Sequence, residues 1–163
     1  MLNGKKGWKT HSVSRWGGLA VAIDRNHNVV FENRIDFPYW DGLIKGELRV
    51  QRCDKCERWT WPAEWRCGDC GSWELHWEPV DARGVVYAWE RTHYPFSQKF
   101  KDLLPYVTVL VALPAAGERR MVGHLLGSDA GIKIGARVNP EIQAPSPLTR
   151  NRPALFWRMA ETT

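Results

Sequence analysis

The sequence predicts a mainly β protein: a metal-stapled ribbon preceded by a short helix and followed by a small five-stranded barrel. Three observations carry this reading. Cys53-Asp-Lys-Cys56 and Cys67-Gly-Asp-Cys70 are two Cys-x-x-Cys pairs separated by ten residues. Five of the ten tryptophans (Trp59, Trp61, Trp65, Trp73 and Trp77) lie on or between these pairs and the next strand, the aromatic burial that a ribbon too small for its own core needs. From residue 80 onward, short β-prone runs follow one another between turn signals, with no helical periodicity.

The cysteine pairs read as one tetrahedral zinc site, because each pair bites the metal from a tight turn. Four thiolates also suit iron, but no electron-transfer partner is visible in the chain. Two disulfides are the other use of four cysteines. The N-terminus has Lys5, Lys6 and Lys9 with no apolar segment behind them, which is not a secretory signal, so a cytoplasmic metal site is favoured over disulfides. Four protein ligands leave no open position for water, which makes the zinc structural. The site also uses every cysteine of the chain, so no thiol remains as a nucleophile.

At 163 residues the chain holds one domain of ordinary size and a small satellite. No apolar run approaches the ~18–20 residues of a membrane span. The net charge of +5 is unevenly spread: residues 1–20 carry +4, 24–50 carry −1, 51–78 carry −2 and 79–163 carry +4. Four thiolates around Zn²⁺ make the cysteine-bearing segment more acidic still.

Residues 1–35 form an N-terminal extension. Residues 1–18 read as a mobile tail with Trp8 and Trp16 as its only large apolar groups. Leu19–Ile23 and Val29–Phe31, joined by Asp24–Asn28, read as a β-hairpin. Residues 36–79 form the helix and ribbon. Asp36 caps a helix with Pro38 in its first turn; Phe37, Trp40, Ile44 and Leu48 supply one apolar face, and Gly46 ends it. A strand with Leu48, Val50 and Arg52 alternating against Arg49 and Gln51 then feeds Cys53.

Residues 80–163 form the barrel and C-terminal segment. Its strands are expected at Gly84–His93, Tyr106–Leu113, Met121–Leu126, Lys133–Val138 and Ala154–Arg158, with a Pro-rich stretch (Pro140, Pro145, Pro147, Pro153) before the last. Tyr94–Leu104 is a longer loop bearing Phe96 and Phe100, a place where function often sits. The five histidines make no ligand-spaced pair; His76 falls on the ribbon surface, and His93 ends a strand beside the loop. Arg119-Arg120 falls in a hairpin turn.

The order of these signals resembles a known family. Phe37-Pro-Tyr-Trp-Asp-Gly-Leu43 leads to Gly46-Glu-Leu-Arg-Val-Gln-Arg-Cys53; Trp61-Pro62, Cys70-Gly-Ser72, Gly84-Val-Val-Tyr87, Pro105-Tyr-Val107 and Ile134-Gly-Ala-Arg-Val138 follow. Over residues 36–158 this is similar to the acyl-CoA-associated OB-fold proteins with an N-terminal rubredoxin-like zinc ribbon. The resemblance implies a zinc ribbon on an OB-fold barrel. It also implies a non-catalytic subunit that stabilises a thiolase-like partner (a thiolase, acyltransferase or aldolase) in a hetero-oligomer and helps form its CoA channel. CoA or acyl-CoA would then be a ligand of the complex. Its phosphates call for cations beside an apolar slot, which makes Arg91, His93, Lys99 and Lys101, around Phe96 and Phe100, the candidates. Two departures stand out: Glu57-Arg58 follows Cys56 where the family usually has a glycine, and the second pair reads Cys67-Gly-Asp-Cys70 rather than Cys-Pro-x-Cys.

The competing class is a nucleic-acid-binding module, since OB barrels and zinc ribbons both serve that role. The acidic ribbon and the scattered charge of the barrel argue against it, because phosphate binding needs clustered Lys and Arg. An independent enzyme is disfavoured by the lack of a Ser/His/Asp set, a Gly-rich phosphate loop or paired carboxylates.

Overall fold

A computed structural model of the chain describes residues 35–146, 149 and 152–161, and, before them, the backbone of the strands at 13–16, 19–23 and 29–31; the side chains of those strands and of residues 99 and 100 lie outside it. The chain divides into two compact units, Met1–Phe37 and Pro38–Thr163.

In the first unit β1 (Val13–Trp16), β2 (Leu19–Ile23) and β3 (Val29–Phe31) form an antiparallel sheet in the order β1-β2-β3. The β2–β3 pairing is the expected hairpin, in register Val21↔Phe31 and Ile23↔Val29; its connecting residues 24–28 lie outside the described residues. The reading of residues 1–18 as a tail is corrected at Val13–Trp16, a strand paired with β2 from Val13↔Ala22 to Trp16↔Leu19. Its sequence signal is Gly17-Gly18, a two-residue connection of the kind that joins hairpin strands. Trp8 and residues 1–12 lie outside the described residues.

The second unit opens with α1 (Phe37–Ile44), stopped at Gly46, whose φ of 79° only glycine adopts without cost. The face it buries differs from the expected one. Leu43 and Gly42 are buried and Tyr39 packs against the core, whereas Phe37 and Ile44 are exposed. Two features set this rotation. The Tyr39 ring tilts onto Trp61 at 4.9 Å, and a Cβ on Gly42 would meet the Glu47 carbonyl at 2.9 Å, so the helix lies close on the chain that follows it.

The ribbon sheet has β4 (Leu48–Cys53) at its centre, between the short β5 (Trp59–Thr60) and β6 (Leu75–Val80), all antiparallel. β6 is an edge strand and carries Pro79 opposite Arg49. Of the five ribbon tryptophans, Trp59 and Trp61 pack against the main core, while Trp65 and Trp73 are exposed. The indoles therefore divide between packing and surface.

The barrel is closed by five strands, as the sequence predicts: β7 (Gly84–Thr92), β8 (Tyr106–Leu113), β9 (Arg119–Leu125), β10 (Arg137–Gln143) and β11 (Ala154–Met159), in the order β10-β11-β9-β8-β7. Alternation is clean in β8, where Val107, Val109 and Val111 point inward and the residues between them are partly exposed. β7 is long enough to serve two neighbours. It pairs with β8 through Val85–Thr92, with a bulge between Val86 and Ala88, and with β10 only at Gly84 and Val85.

Closure on the other side rests on Trp157↔Leu125, the register pair between the parallel strands β11 and β9. Two expectations shift here. Lys133–Ala136 is a turn, with Gly135 at φ 87°, so β10 starts at Arg137 rather than Lys133. Pro140, placed in the Pro-rich connection by sequence, lies inside β10 opposite Trp157. Arg119 and Arg120 open β9 rather than occupying the turn, which is formed by Pro114–Ala116 and the left-handed Gly117.

Leu48 and Val50 of the ribbon share one core with Val86, Val109, Leu113, Met121, Val138 and Trp157 of the barrel. Gly84 at the start of β7 lies against β8, and a Cβ there would run into Val111 Cγ1 and lie 2.8 Å from the Ala112 carbonyl oxygen. Backbone cannot move aside as a side-chain tip can. Gly84→Ala is expected to lower stability by ~1–3 kcal/mol, the usual range for overpacking; a thermal melt within about 2 °C of wild type would contradict this close packing.

Candidate metal centre

The two cysteine turns are built alike. In the first, the Glu57 N–H donates to the Cys53 carbonyl at 2.9 Å and the Cys53 N–H donates to the Arg58 carbonyl at 2.9 Å. In the second, the Gly71 N–H donates to the Cys67 carbonyl at 2.9 Å and the Cys67 N–H to the Ser72 carbonyl at 2.8 Å. The residue after each second cysteine is left-handed: Gly71 at φ 74° and Glu57 at φ 59°. The missing glycine after Cys56 thus leaves the hydrogen bonding of that turn intact.

These turns bring the four sulfurs together. Cys53 and Cys70 Sγ are 3.6 Å apart, as are Cys56 and Cys67 Sγ, and all four lie within 4.8 Å of one another. A tetrahedron of thiolates on zinc, at Zn–S of about 2.3 Å, has edges of ~3.8 Å, so the cluster fits the ion. Cys53 and Cys67 are buried, Cys56 is half-buried and Cys70 is exposed.

The protonation tendencies point the same way. The N–H groups of Cys70 and Asp69 hold Cys67 down to about 7, and the N–H of Cys56 lowers Cys53. At Cys56 the N–H of Arg58 lowers the thiol, but burial and the other three sulfurs together push it up to about 12. Four crowded thiols cannot all ionise without a cation among them.

Further side chains frame the centre. Gln51 is buried, although alternation grouped it with Arg49 on the outside. Its Nε2 donates to the Glu64 carbonyl at 3.1 Å and its Oε1 accepts from the Glu64 N–H at 2.8 Å, pinning the segment between the cysteine pairs. No periodic signal announces such a clamp. His76, expected on the ribbon surface, stands between two carboxylates. Its Nε2 is 2.6 Å from Glu78 Oε1, and its Nδ1 is 2.5 Å from Asp54 Oδ1. The second contact is an ion pair off the hydrogen-bonding direction. Glu78 first, then Asp54, hold the imidazole above its ordinary pKa, and Glu78 is lowered in turn.

Around the second turn, Arg119 Nη2 lies 3.4 Å from Asp69 Oδ2 and ties barrel to ribbon. Between them opens a cleft of about 720 Å³ lined by Trp61, Glu64, Arg66, Asp69, Cys70 and Arg119 among others.

The residues proposed for CoA lie on a different part of the barrel. Phe96 is 81% exposed and its ring meets the exposed Tyr94 edge-on at 5.2 Å. His93 and Lys101 are exposed. Arg91 is engaged by Asp129, with Nε 2.8 Å from Oδ2. The side chains of Lys99 and Phe100 lie outside the described residues. A short 3-10 helix, Gln98–Leu103, shapes the loop.

A rubredoxin-like ribbon around a four-cysteine cluster, joined to an OB-fold barrel, defines a class of two-part proteins, and family comparison gives the same two parts in the same order. Residues 40–76 match the ChsH2 rubredoxin-like zinc ribbon domain and residues 77–143 match the ChsH2 C-terminal OB-fold domain. The chain belongs to this ChsH2 (DUF35) family. A solved structure described as Ltp2-ChsH2(DUF35) aldolase is similar at 26% identity and a TM-score of 0.66, covering 78% of this chain and 95% of that one. A DUF35-family protein of unknown function from Sulfolobus solfataricus shares the fold at 17% identity and a TM-score of 0.56, covering 78% of this chain and 87% of its own. No curated protein matches the chain. Among the described residues, no helix is long and apolar enough to cross a membrane.

Proposed function

We propose that this chain is the non-catalytic accessory subunit of a cytoplasmic acyl-CoA-processing complex, with zinc as its structural metal and a thiolase-like protein as its partner. One observation carries the reading: all four cysteines of the chain converge in a single cluster with tetrahedral spacing. Coordinated thiolates are spent as nucleophiles, so the covalent chemistry of a thiolase-like reaction belongs to the other chain. Family membership supports this role, and so does the 26% identical neighbour, an aldolase whose name joins that of this family to that of a second protein.

In this reading the ribbon, residues 36–79, and the barrel, residues 80–163, act together as the docking body. Phe96, with His93 and Lys101 beside it, faces the acyl-CoA at the joint with the partner. Arg91, steadied by Asp129, supplies a fixed cation, and Lys99 and Phe100 complete the set.

Purification of the tagged chain from its native host, with identification of what accompanies it, tests the class. A thiolase-like protein is expected, the pair turning over acyl-CoA and the isolated chain not. In the reconstituted pair, Phe96→Ser is expected to raise KM for acyl-CoA several-fold with kcat little changed, the signature of lost uniform binding. Turnover by this chain alone would refute the accessory role, and an unchanged KM would move the CoA surface elsewhere.

A further inference from the structure

The first cysteine turn carries a conformational cost that the second does not. Both need a left-handed residue after the second cysteine; Gly71 adopts it freely, whereas Glu57 at φ 59° does not. A non-glycine residue persists there only when its surroundings over-determine the backbone.

Those surroundings are visible. Asp54 follows the ligand Cys53, and Glu57 follows the ligand Cys56. His76 meets Asp54, as described above. Arg52 Nε donates to the Glu57 carbonyl at 3.1 Å, and its Nη2 is 3.4 Å from the Glu57 carboxylate. Glu78 joins the two grips, pairing with His76 Nε2 at 2.6 Å and Arg52 Nη1 at 3.5 Å. The strand register makes this possible, because Arg52↔His76 and Val50↔Glu78 are direct cross-strand partners of β4 and β6. The turn is thus held at the residue after each of its ligands, Asp54 by His76 of β6 and Glu57 by Arg52 of β4, and Glu78 of β6 links the two.

We propose that His76, oriented by Glu78, is a positioning residue of the zinc centre: it fixes Asp54 and so keeps the Cys53–Cys56 turn in ligand geometry despite the strained Glu57. The inference rests on the four thiolates being zinc ligands. The His76 side chain is 41% exposed, so the attraction of its ion pairs for stability alone is small. What decides its weight is where the network ends. Loss of an outer-shell partner typically costs about 10–100-fold in metal affinity, and His76 acts one residue away from the sulfur, which places it near the lower figure, about tenfold.

The test uses the full zinc-loaded chain, challenged with excess chelator and followed with a metal-sensitive dye. His76→Ala is expected to release zinc about tenfold faster than wild type, and Glu78→Gln, which keeps the side-chain shape, to shift the rate the same way. The visible ligand-field bands of the cobalt-substituted His76→Ala chain should broaden or shift, which a loss of surface stability alone does not produce. The diagnostic comparison is made in a Glu57→Gly background, where the turn no longer needs holding and His76→Ala should cost much less than about tenfold. Wild-type release rates in both His76→Ala and Glu78→Gln overturn the proposal, as does an equal loss with and without Glu57→Gly. A wild-type chain that takes up no zinc fails earlier, at the metal reading, and carries this inference down with it.

Discussion

Removal of zinc is expected to unfold the ribbon and to uncover one side of the barrel with it. The ribbon's own sheet is small. It has one six-residue central strand, a two-residue neighbour and an edge strand, and two of the ribbon's largest side chains, Trp65 and Trp73, are exposed. In small zinc modules, apparent metal binding free energy is on the order of 10–16 kcal/mol, most or all of the folding free energy. Leu48 and Val50 reach from β4 into the barrel core, so losing the ribbon also removes core contacts from the barrel.

Chelation, or Cys53→Ala at the most buried ligand of the first turn, should therefore abolish amide protection across residues 48–80 and lower the melting temperature of the whole second unit. Hydrogen exchange read by mass spectrometry checks both effects. Protection of the ribbon unchanged in the metal-free chain would show that aromatic packing alone is sufficient. Cys70→Ala provides a graded comparison: the residue is exposed, and its loss should weaken zinc without opening the core.

Trp157 is the site of the second large effect. It is the largest fully buried side chain among the described residues, it supplies the register pair that closes the barrel, and its carbonyl accepts from the Leu126 N–H at 2.7 Å. The indole lies so close to β9 that a Cβ on Gly123 would come within 2.7 Å of Nε1. Trp157→Ala is expected to cost ~3–5 kcal/mol, the usual range for removing a buried large aromatic side chain. Against a typical total of ~5–15 kcal/mol this should lower the melting temperature by on the order of 10 °C.

Trp157→Phe separates volume from polarity. The Trp157 indole N–H meets no acceptor among the described residues, and a buried donor left unpaired costs about 1–3 kcal/mol. Phenylalanine removes that donor along with some volume, so its cost should be less than half that of alanine. Equal losses from the two substitutions would mean that the indole N–H is satisfied after all.

Sequence reasoning reached the parts of this protein that repeat or alternate. The paired cysteines specified the cluster because spacing alone fixes which thiols share an ion. The five barrel strands were legible because Val107, Val109 and Val111 alternate with less buried neighbours, and because Pro114-Ala-Ala-Gly117 marks a turn. What escaped depends on contacts between segments distant in sequence. The helix was expected to bury Phe37 and Ile44, but Trp61, more than twenty residues later, packs at a tilt on Tyr39 and rotates the inward face by one position. Gln51 and Glu64, His76 and Asp54, and Arg119 and Asp69 are polar pairs that no periodicity encodes. The partner of Arg91 in β7, Asp129 from a loop 38 residues later, is likewise invisible to periodicity. The candidate site was therefore legible in its ligands and not in the side chains that hold them.

Two prolines in strands bear on how this chain resists self-association. Pro79 lies in the edge strand of the ribbon and Pro140 in β10, beyond the short stretch that pairs with β7. A proline opposite a paired residue in an antiparallel ladder occupies a non-hydrogen-bonded position, so its missing donor falls on the strand's other, open side. At both places a row of amides that could recruit a stray β-strand is interrupted. The edge of β6 and the stretch of β10 left unpaired by β7 are thereby made poor templates for self-association.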